Sequence, residues 1–392
     1  MQRVVITGAG TVNPLGHDVP STYAALARGM TAIGPLILPD VDRLQVRIGA
    51  QVTGWQGEFD RADLVWMDPF AQFAVASARQ AMAQAGLGPV PQAGVILGSA
   101  GGGLQTVDDN YRAVYAQGKN RVHPFTVPRL MASAGASLIA RDLGLAGPSF
   151  TVASACSSSN HAIGQAVQMI RAGVAPVMLA GGSDAMLCFG GIKAWEGLRV
   201  LSPTACRPFS AGRDGMVMGE GAAVFVLEAR DHARARGAQV LAEIAGVSMT
   251  TDAGDMVQPT VAGPVRAMAL ALKDAGMTPD EVGYINAHGT GTQANDRCEA
   301  AAIAQVFQSD VLVSATKSLH GHLIGGAGAV ELLACLMALQ SGAIAPTAGF
   351  LGPDADCPVN LVTKTRTAAV TAVLSNSFAF GGLNAVLALQ AG

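Results

Sequence analysis

Charge is scarce in this chain: Asp, Glu, Lys and Arg make up 14% of its 392 residues, where an average soluble domain carries about a quarter. The 25 basic and 28 acidic residues nearly cancel, leaving a formal net charge of −3 and a pI of about 6.2. That balance argues against nucleic acid as a partner recognised by bulk charge. Half of the residues are hydrophobic, which rules out a disordered chain. Glycine is abundant at 48 residues but has no G-X-Y period, so no collagen-like helix forms. Long apolar runs are absent. The nearest candidate, Gly326 to Leu339, is short and carries Glu331, so no membrane span is expected. The start, MQRVVITGAG, reads as a strand and a glycine turn and lacks the apolar region of a signal peptide. The six cysteines (156, 188, 206, 298, 335 and 357) form no CxxC pair. That points to free thiols in a reducing compartment, the cytoplasm, with no disulfide framework and no zinc site. So little charge also suits a chain that hides surface in an oligomer.

What is present is an alternation of strand-like and helix-like segments. Strands are expected at 3–8, 94–98, 148–153, 222–228, 239–246, 282–286, 370–376 and 383–390. Helices are expected from Asp68-Pro69 to Gly86, and over 156–173, 263–275 and 325–340. This alternation implies an α/β protein with a largely covered sheet. An ordered internal repeat accompanies it. Gly94–Gly102 resembles Gly283–Gly291, Val152–Cys156 resembles Leu312–Thr316, and Gly181–Ala185 resembles Gly381–Ala385. Two similar halves, 1–239 and 240–392, are expected, and no Pro- or Ser-rich linker divides them.

Three clusters carry chemistry. In Ser154-Ala155-Cys156-Ser157-Ser158-Ser159 a strand ends in small residues and a helix begins at the cysteine. Free N–H groups at a helix start favour a thiolate, and such sites lower a cysteine pKa to roughly 3.5–7.5. The plainer alternative is a small buried packing residue. In Asn286-Ala287-His288-Gly289-Thr290-Gly291 a histidine follows a strand into a tight turn, where open α/β sheets bind ligands. The alternative there is a histidine bonded to its own turn. No GK[ST] follows, which disfavours a phosphate loop. The third cluster, Lys317-Ser318-Leu319-His320-Gly321-His322, offers two histidines but no third ligand at a metal-binding spacing. Glu331, alone in an apolar helix, needs a partner, and Lys317 is the natural one.

The ACSSS stretch at Cys156, NAHGTGT at His288, TKSLHGH ending in His322 and NSFAFGG around Phe380 together resemble the β-ketoacyl-acyl-carrier-protein synthases. The resemblance runs from VVITGAGTVNPLG to SNSFAFGGLNA, and is closest to the type II elongating enzymes. The KAWEGLRV segment and the Ser-Ser-Ser-Asn-His run resemble the nodulation-type and specialised-lipid branch. The family implies a thiolase-like fold, duplicated βαβαβ halves in five α-β-α-β-α layers, as a homodimer. It implies a Cys156–His288–His322 triad, with Lys317 and Glu331 in support. His320 is outside the triad. Phe380 is the implied gate, and its N–H joins that of Cys156 as oxyanion hole. Val107, Phe189 and Phe378 are implied for the acyl pocket, with the Gly103–Val107 stretch coming from the partner subunit. Ala379 and Leu383 depart from the family pattern.

The implied reaction is a decarboxylating Claisen condensation of acyl-Cys156 with malonyl-acyl carrier protein. It needs no metal, nucleotide or organic cofactor, because the phosphopantetheine belongs to the carrier protein. A degradative thiolase is disfavoured by the lack of a second Cys-Gly motif near the chain end. A chain-initiating Cys–His–Asn synthase is disfavoured by His322. A non-catalytic chain-length partner is disfavoured by Cys156 itself. A ketosynthase of a dissociated polyketide system stays open.

Overall fold

A computed structural model describes residues 2–307 and 310–392. Of the strands in the large sheet, five precede residue 240: β1 (Val4–Val12), β2 (Gly94–Gly98), β3 (Ser149–Val152), β4 (Val177–Asp184) and β5 (Gly221–Ala229). Five follow: β6 (Ala242–Thr251), β7 (Tyr284–Asn286), β8 (Leu312–Ser314), β9 (Ala372–Ala379) and β10 (Leu383–Gln390). All ten form one sheet in the order β3-β2-β4-β5-β1-β6-β10-β9-β7-β8. The two halves repeat one pattern. β3, β2 and β4 pair in parallel, then β4, β5 and β1 pair antiparallel. β8, β7 and β9 are likewise parallel, and β9, β10 and β6 antiparallel. The halves join where β1 runs antiparallel to β6.

Six helices cover the sheet: α1 (Pro69–Ala85), α2 (Ala134–Leu143), α3 (Ser158–Arg171), α4 (Ala262–Ala275), α5 (Gln293–Val306) and α6 (Ala327–Ser341). Helices α1 and α2 pack on the first half, and α4 and α5 on the second. Helices α3 and α6 touch strands of both halves and each other, which makes them the middle layer. The five expected layers are therefore present. Strands β1 and β5 are buried along their whole length, so they show no polar alternation. Helix α1 starts as its sequence implies, with the Asp68 side chain accepting from the Phe70 N–H (3.3 Å) and Pro69 in the first turn.

Three expectations need correction. Ile324–Ser341 is, by length and composition, apolar enough to cross a membrane, with a mean hydropathy of 1.5. In the structure it is a core segment, 83% buried, and apolar on every side because protein surrounds it. Strand β4 went unrecognised, since Ala180, Gly181, Gly182 and Ser183 have poor strand propensity. Smallness is required there: a Cβ on Gly182 would stand 2.0 Å from the Ser159 Oγ of α3. The third repeat match is also out of register. By position β4 corresponds to β9, whereas Gly381–Ala385 lies at the turn into β10. The first two matches do pair equivalent strands, β2 with β7 and β3 with β8.

One carboxylate ties the halves together. Asp184, at the end of β4, accepts from Ser99 Oγ (2.8 Å) and from the N–H groups of Ala100 (3.0 Å), Gly101 (3.0 Å) and Gly325 (2.7 Å). Its burial pushes the carboxyl up to about 6. Asp184→Ala strands four donors, and each buried orphan costs about 1–3 kcal/mol. A thermal melt is expected to show a marked loss of stability for Asp184→Ala. Asp184→Asn, which keeps one acceptor oxygen, is expected to fall between the mutant and the parent.

Candidate active site

The site forms where equivalent strands of the two halves end, beside the turns into α3 and α6. After β3 the chain turns through Ala155, a non-glycine residue at φ 48°, and delivers Cys156 at the head of α3. A left-handed alanine is strained and must be held by its surroundings. The serine run does this. Ser158 Oγ accepts from the Ser154 N–H (2.9 Å) and donates to the Ala155 carbonyl (2.7 Å), and Ser157 Oγ donates to the Ser154 carbonyl (2.8 Å). Ser159 Oγ donates to the Gly325 carbonyl of the other half.

His288 follows β7 and opens a turn folded over the start of α5. Two buried acids of α5 hold that turn. Glu299 accepts from the N–H groups of His288 (2.8 Å) and Gly289 (2.8 Å). Asp296 accepts from Thr290 (3.1 Å) and Gly291 (3.2 Å). His322 is held on the other side by its N–H to the Val217 carbonyl (2.7 Å). One ligand atom from each of Cys156, His288 and His322 lies within 4.8 Å of the others, and all three residues are buried. The imidazoles meet edge to face, with centroids 5.5 Å apart.

Protonation follows from the neighbours. The Lys317 ammonium has three protons and no lone pair, so it can only donate. It donates to Nδ1 of His288 (3.2 Å), to the His288 carbonyl (2.6 Å) and to Glu331. The Ile324 N–H donates to Nδ1 of His322 (3.1 Å). Both Nδ1 atoms are therefore acceptors, and both rings carry their proton on Nε2. Burial and then the Lys317 charge hold both pKa values well below the usual imidazole value, so both rings are neutral. The Nε2 of His322 is buried without a partner. A metal-bound Nε2 would leave its proton on Nδ1, facing another donor, so the pair is set against metal ligation.

The thiol departs from expectation. Burial pushes Cys156 up to about 12, although Lys317 and the N–H groups of Cys156 and Phe380 pull it down. The helix start favours a thiolate, but a fully enclosed sulfur has lost the water that would solvate its charge. The same two N–H groups both reach the sulfur, so both are at hand for an oxygen bonded beside it. Glu331 meets Lys317 in a fully enclosed ion pair; burial pushes its carboxyl up and Lys317 pulls it back. His320 is turned away into structure: Nδ1 lies 2.8 Å from the Gly321 carbonyl, Nε2 lies 3.1 Å from Thr316 Oγ1, and burial brings its pKa down to about 3.

A cavity of about 210 Å³ reaches Cys156, and Phe378, Phe380 and Trp195 are among its walls. Phe378 stands edge-on to His288, centroids 6.2 Å apart. Val107 and Phe189 do not line it. The Phe189 ring lies under the Arg43 guanidinium (4.7 Å) instead, and Val107 is on the helix Leu104–Tyr111 outside it. Sequence reasoning missed Asp184, Asp296 and Glu299. Asp296 and Glu299 were detectable as acids three apart on an otherwise apolar helix face. Asn286 Oδ1, Glu331 Oε2, Ser375 Oγ and Asn376 Oδ1 are also buried without partners.

Comparison with known proteins identifies the family. The model of the beta-ketoacyl synthase N-terminal domain matches residues 1–233, and that of the C-terminal domain matches residues 241–351. The chain is 47% identical to nodulation protein E of Rhizobium sp. (strain N33), over 99% of both chains. It is 37% identical to 3-oxoacyl-[acyl-carrier-protein] synthase 2 of Synechocystis sp., over 99% of this chain and 98% of that one. Among solved structures it superposes, with a TM-score of 0.91 and 29% identity, on a type II PKS acyl-carrier protein in complex with its ketosynthase bound to the hexaketide. That match covers 100% of this chain and 99% of the other.

The Lys317–Glu331 pair generates a direct test. Removing one side of a buried ion pair typically costs about 3–5 kcal/mol. Glu331→Ala is expected to lower the melting temperature and activity together, and Glu331→Gln to recover much of the stability. Nitrogen NMR of the histidines is expected to show neutral Nε2–H tautomers for His288 and His322 from pH 8 down to 6, because both pKa values are lowered. An imidazolium signal at pH 6 would contradict the tautomer assignment.

Proposed function

The chain belongs to the β-ketoacyl synthase family, and we propose that its own residues elongate an acyl chain through an acyl-Cys156 intermediate. It is an acyltransferase of the 3-oxoacyl-[acyl-carrier-protein] synthase type. First, Cys156 sulfur attacks the acyl thioester of the carrier protein. The carbonyl oxygen gains negative charge between the N–H groups of Cys156 and Phe380, and one such donor is worth roughly 2.7–4 kcal/mol. The pantetheine sulfur leaves and ends with the thiol proton. Second, the malonyl thioester loses CO₂ and becomes an enolate. Its oxygen lies where His288 and His322 present their Nε2 protons. The enolate carbon attacks acyl-Cys156, the C–S bond breaks, and Cys156 regains a proton as the 3-oxoacyl product leaves.

The observation that carries this reading is the pair of neutral imidazoles whose Nδ1 atoms are both occupied by donors. Such rings cannot act as bases at Nε2, but they donate two hydrogen bonds to a developing oxyanion. No metal, nucleotide or organic cofactor enters the scheme, since the phosphopantetheine comes with the carrier protein. The reading places the chain in the cytoplasm, which its six unpaired cysteines support. The superposed ketosynthase bound to its acyl-carrier protein supports a carrier as partner, and also a second reading, a ketosynthase of a dissociated polyketide system. Mass spectrometry of acyl-Cys156 against a panel of acyl carriers separates the two.

A homodimer belongs to the proposal. Strand β3 ends the sheet with Ser149 and Phe150 exposed, and an unpaired edge is a template for another chain. The Thr151 hydroxyl bonds the Ala132 carbonyl beside it, and Tyr111, Tyr115, Val122 and Met131 are exposed on the neighbouring segments. Such an apolar face calls for cover. It also carries the helix of Val107, which would reach a cavity only across the interface.

Cys156→Ala is expected to abolish condensation while malonyl decarboxylation persists. Elongation above a trace by that variant would remove Cys156 as nucleophile. His288→Ala and His322→Ala are expected to slow decarboxylation more than acylation of Cys156, and His320→Ala to act mainly on stability. Light scattering is expected to give twice the chain mass. A fully active monomer would remove the shared pocket.

A further inference from the structure

The ring of Phe380 does not stand alone at the cavity. It stacks on the Trp195 indole, with ring centroids 5.9 Å apart and planes 23° from parallel. The two rings are mounted very differently. Trp195 is on the helix Phe189–Gly197, and that helix is pinned through its neighbour. Glu196 accepts from the N–H groups of Gln45 (2.6 Å) and Val46 (2.9 Å) and pairs with Lys193 (2.8 Å). Phe380 instead precedes Gly381 and Gly382, at φ 80° and 67°, where the backbone can change course at little steric cost. One ring is therefore fixed and the other hinged. The indole also packs on the apolar cluster that includes Cys156, Leu187, Ile192, Met216 and Ile324. An acyl chain on Cys156 has to enter that cluster.

We propose that Trp195 is a positioning residue that latches the Phe380 gate: their stacking holds the gate shut until an acyl chain on Cys156 displaces the Phe380 ring. This rests on the reading of Phe380 as a gate. Acylation exchanges the ring–ring contact for contacts of both rings with the chain, and the freed turn then admits the malonyl arm. A short acyl group leaves the pair stacked, so the latch also selects against short chains.

The test uses the full-length protein with acyl- and malonyl-carrier protein, and reads CO₂ released per 3-oxoacyl product. Trp195→Leu keeps apolar volume and removes the indole stack. It is expected to raise malonyl decarboxylation in the absence of acyl donor by about 2- to 10-fold, the size of one aromatic pair. Trp195→Phe keeps a stacking ring and is expected to restore coupling. Acylation of Cys156 by a long-chain donor is expected to be at least as fast in Trp195→Leu as in the parent, since no stack has to be broken, whereas a general loss of structure would slow it. Trp195→Leu coupled as tightly as the parent, with Phe380→Ala uncoupled, would overturn the latch and leave the gate standing. Phe380→Ala coupled like the parent would overturn the gate and the latch with it. Trp195→Phe as uncoupled as Trp195→Leu would also overturn the latch, since ring stacking would then not be what holds Phe380.

Discussion

A single enclosed ammonium, that of Lys317, touches His288 and Glu331 and pulls down the pKa of Cys156, His288 and His322. Lys317 is fully buried, so each of its protons needs an acceptor. Glu331 neutralises it, and the other two protons go to the carbonyl and Nδ1 of His288. That choice fixes the His288 tautomer and the course of the backbone after β7. Burial first, and the same positive charge second, keep both imidazoles neutral, and the charge opposes the burial that drives Cys156 upward. Without Glu331 the ammonium would be a buried charge with no counter-charge, and its hold on His288 would weaken.

Around this pair the fold uses buried carboxylates as clamps on bare N–H groups. Asp184, Asp296 and Glu299 each gather donors from turns that no regular ladder satisfies. The turn held by Glu299 and Asp296 carries His288, and Asp184 ties Ser99–Gly101 of one half to Gly325 of the other. Burial raises Glu299 to about 7 and Asp184 to about 6, which shows how little solvent reaches them. The duplication also divides labour. Strands β3 and β8 occupy equivalent places; the first leads to Cys156, and the second leads to Lys317 and then His322. Two similar halves thus face one another with different chemistry at the same structural position.

The neutral resting state of Cys156 has a consequence for charge. Burial drives the Cys156 thiol upward, so any charge formed there or on an oxygen beside it depends on the N–H groups of Cys156 and Phe380. The Phe380 N–H and the Phe380 ring belong to the same glycine-flanked turn, so backbone donor and ring share one hinge.

Local sequence determined the strand–turn–helix around Cys156, the glycine turn after His288, the caps of α1 and the apolar character of α6. Each depends on neighbours a few residues away, and each was legible for that reason. The pairing of Lys317 with Glu331 was also legible, since a lone acid in an apolar helix demands a cation. Only the tertiary structure decided the protonation of the site. Desolvation of Cys156 outweighed its helix terminus, and the tautomers depend on Lys317 and Ile324 approaching rings that local pattern does not orient. Strand β4 escaped notice because close packing against α3 selected glycine over strand formers. The third repeat match slipped because equivalence is set by position in the sheet, which short glycine strings do not encode. Solvent exclusion and contacts between distant segments are properties of the packed sheet halves, and no window of sequence contains them.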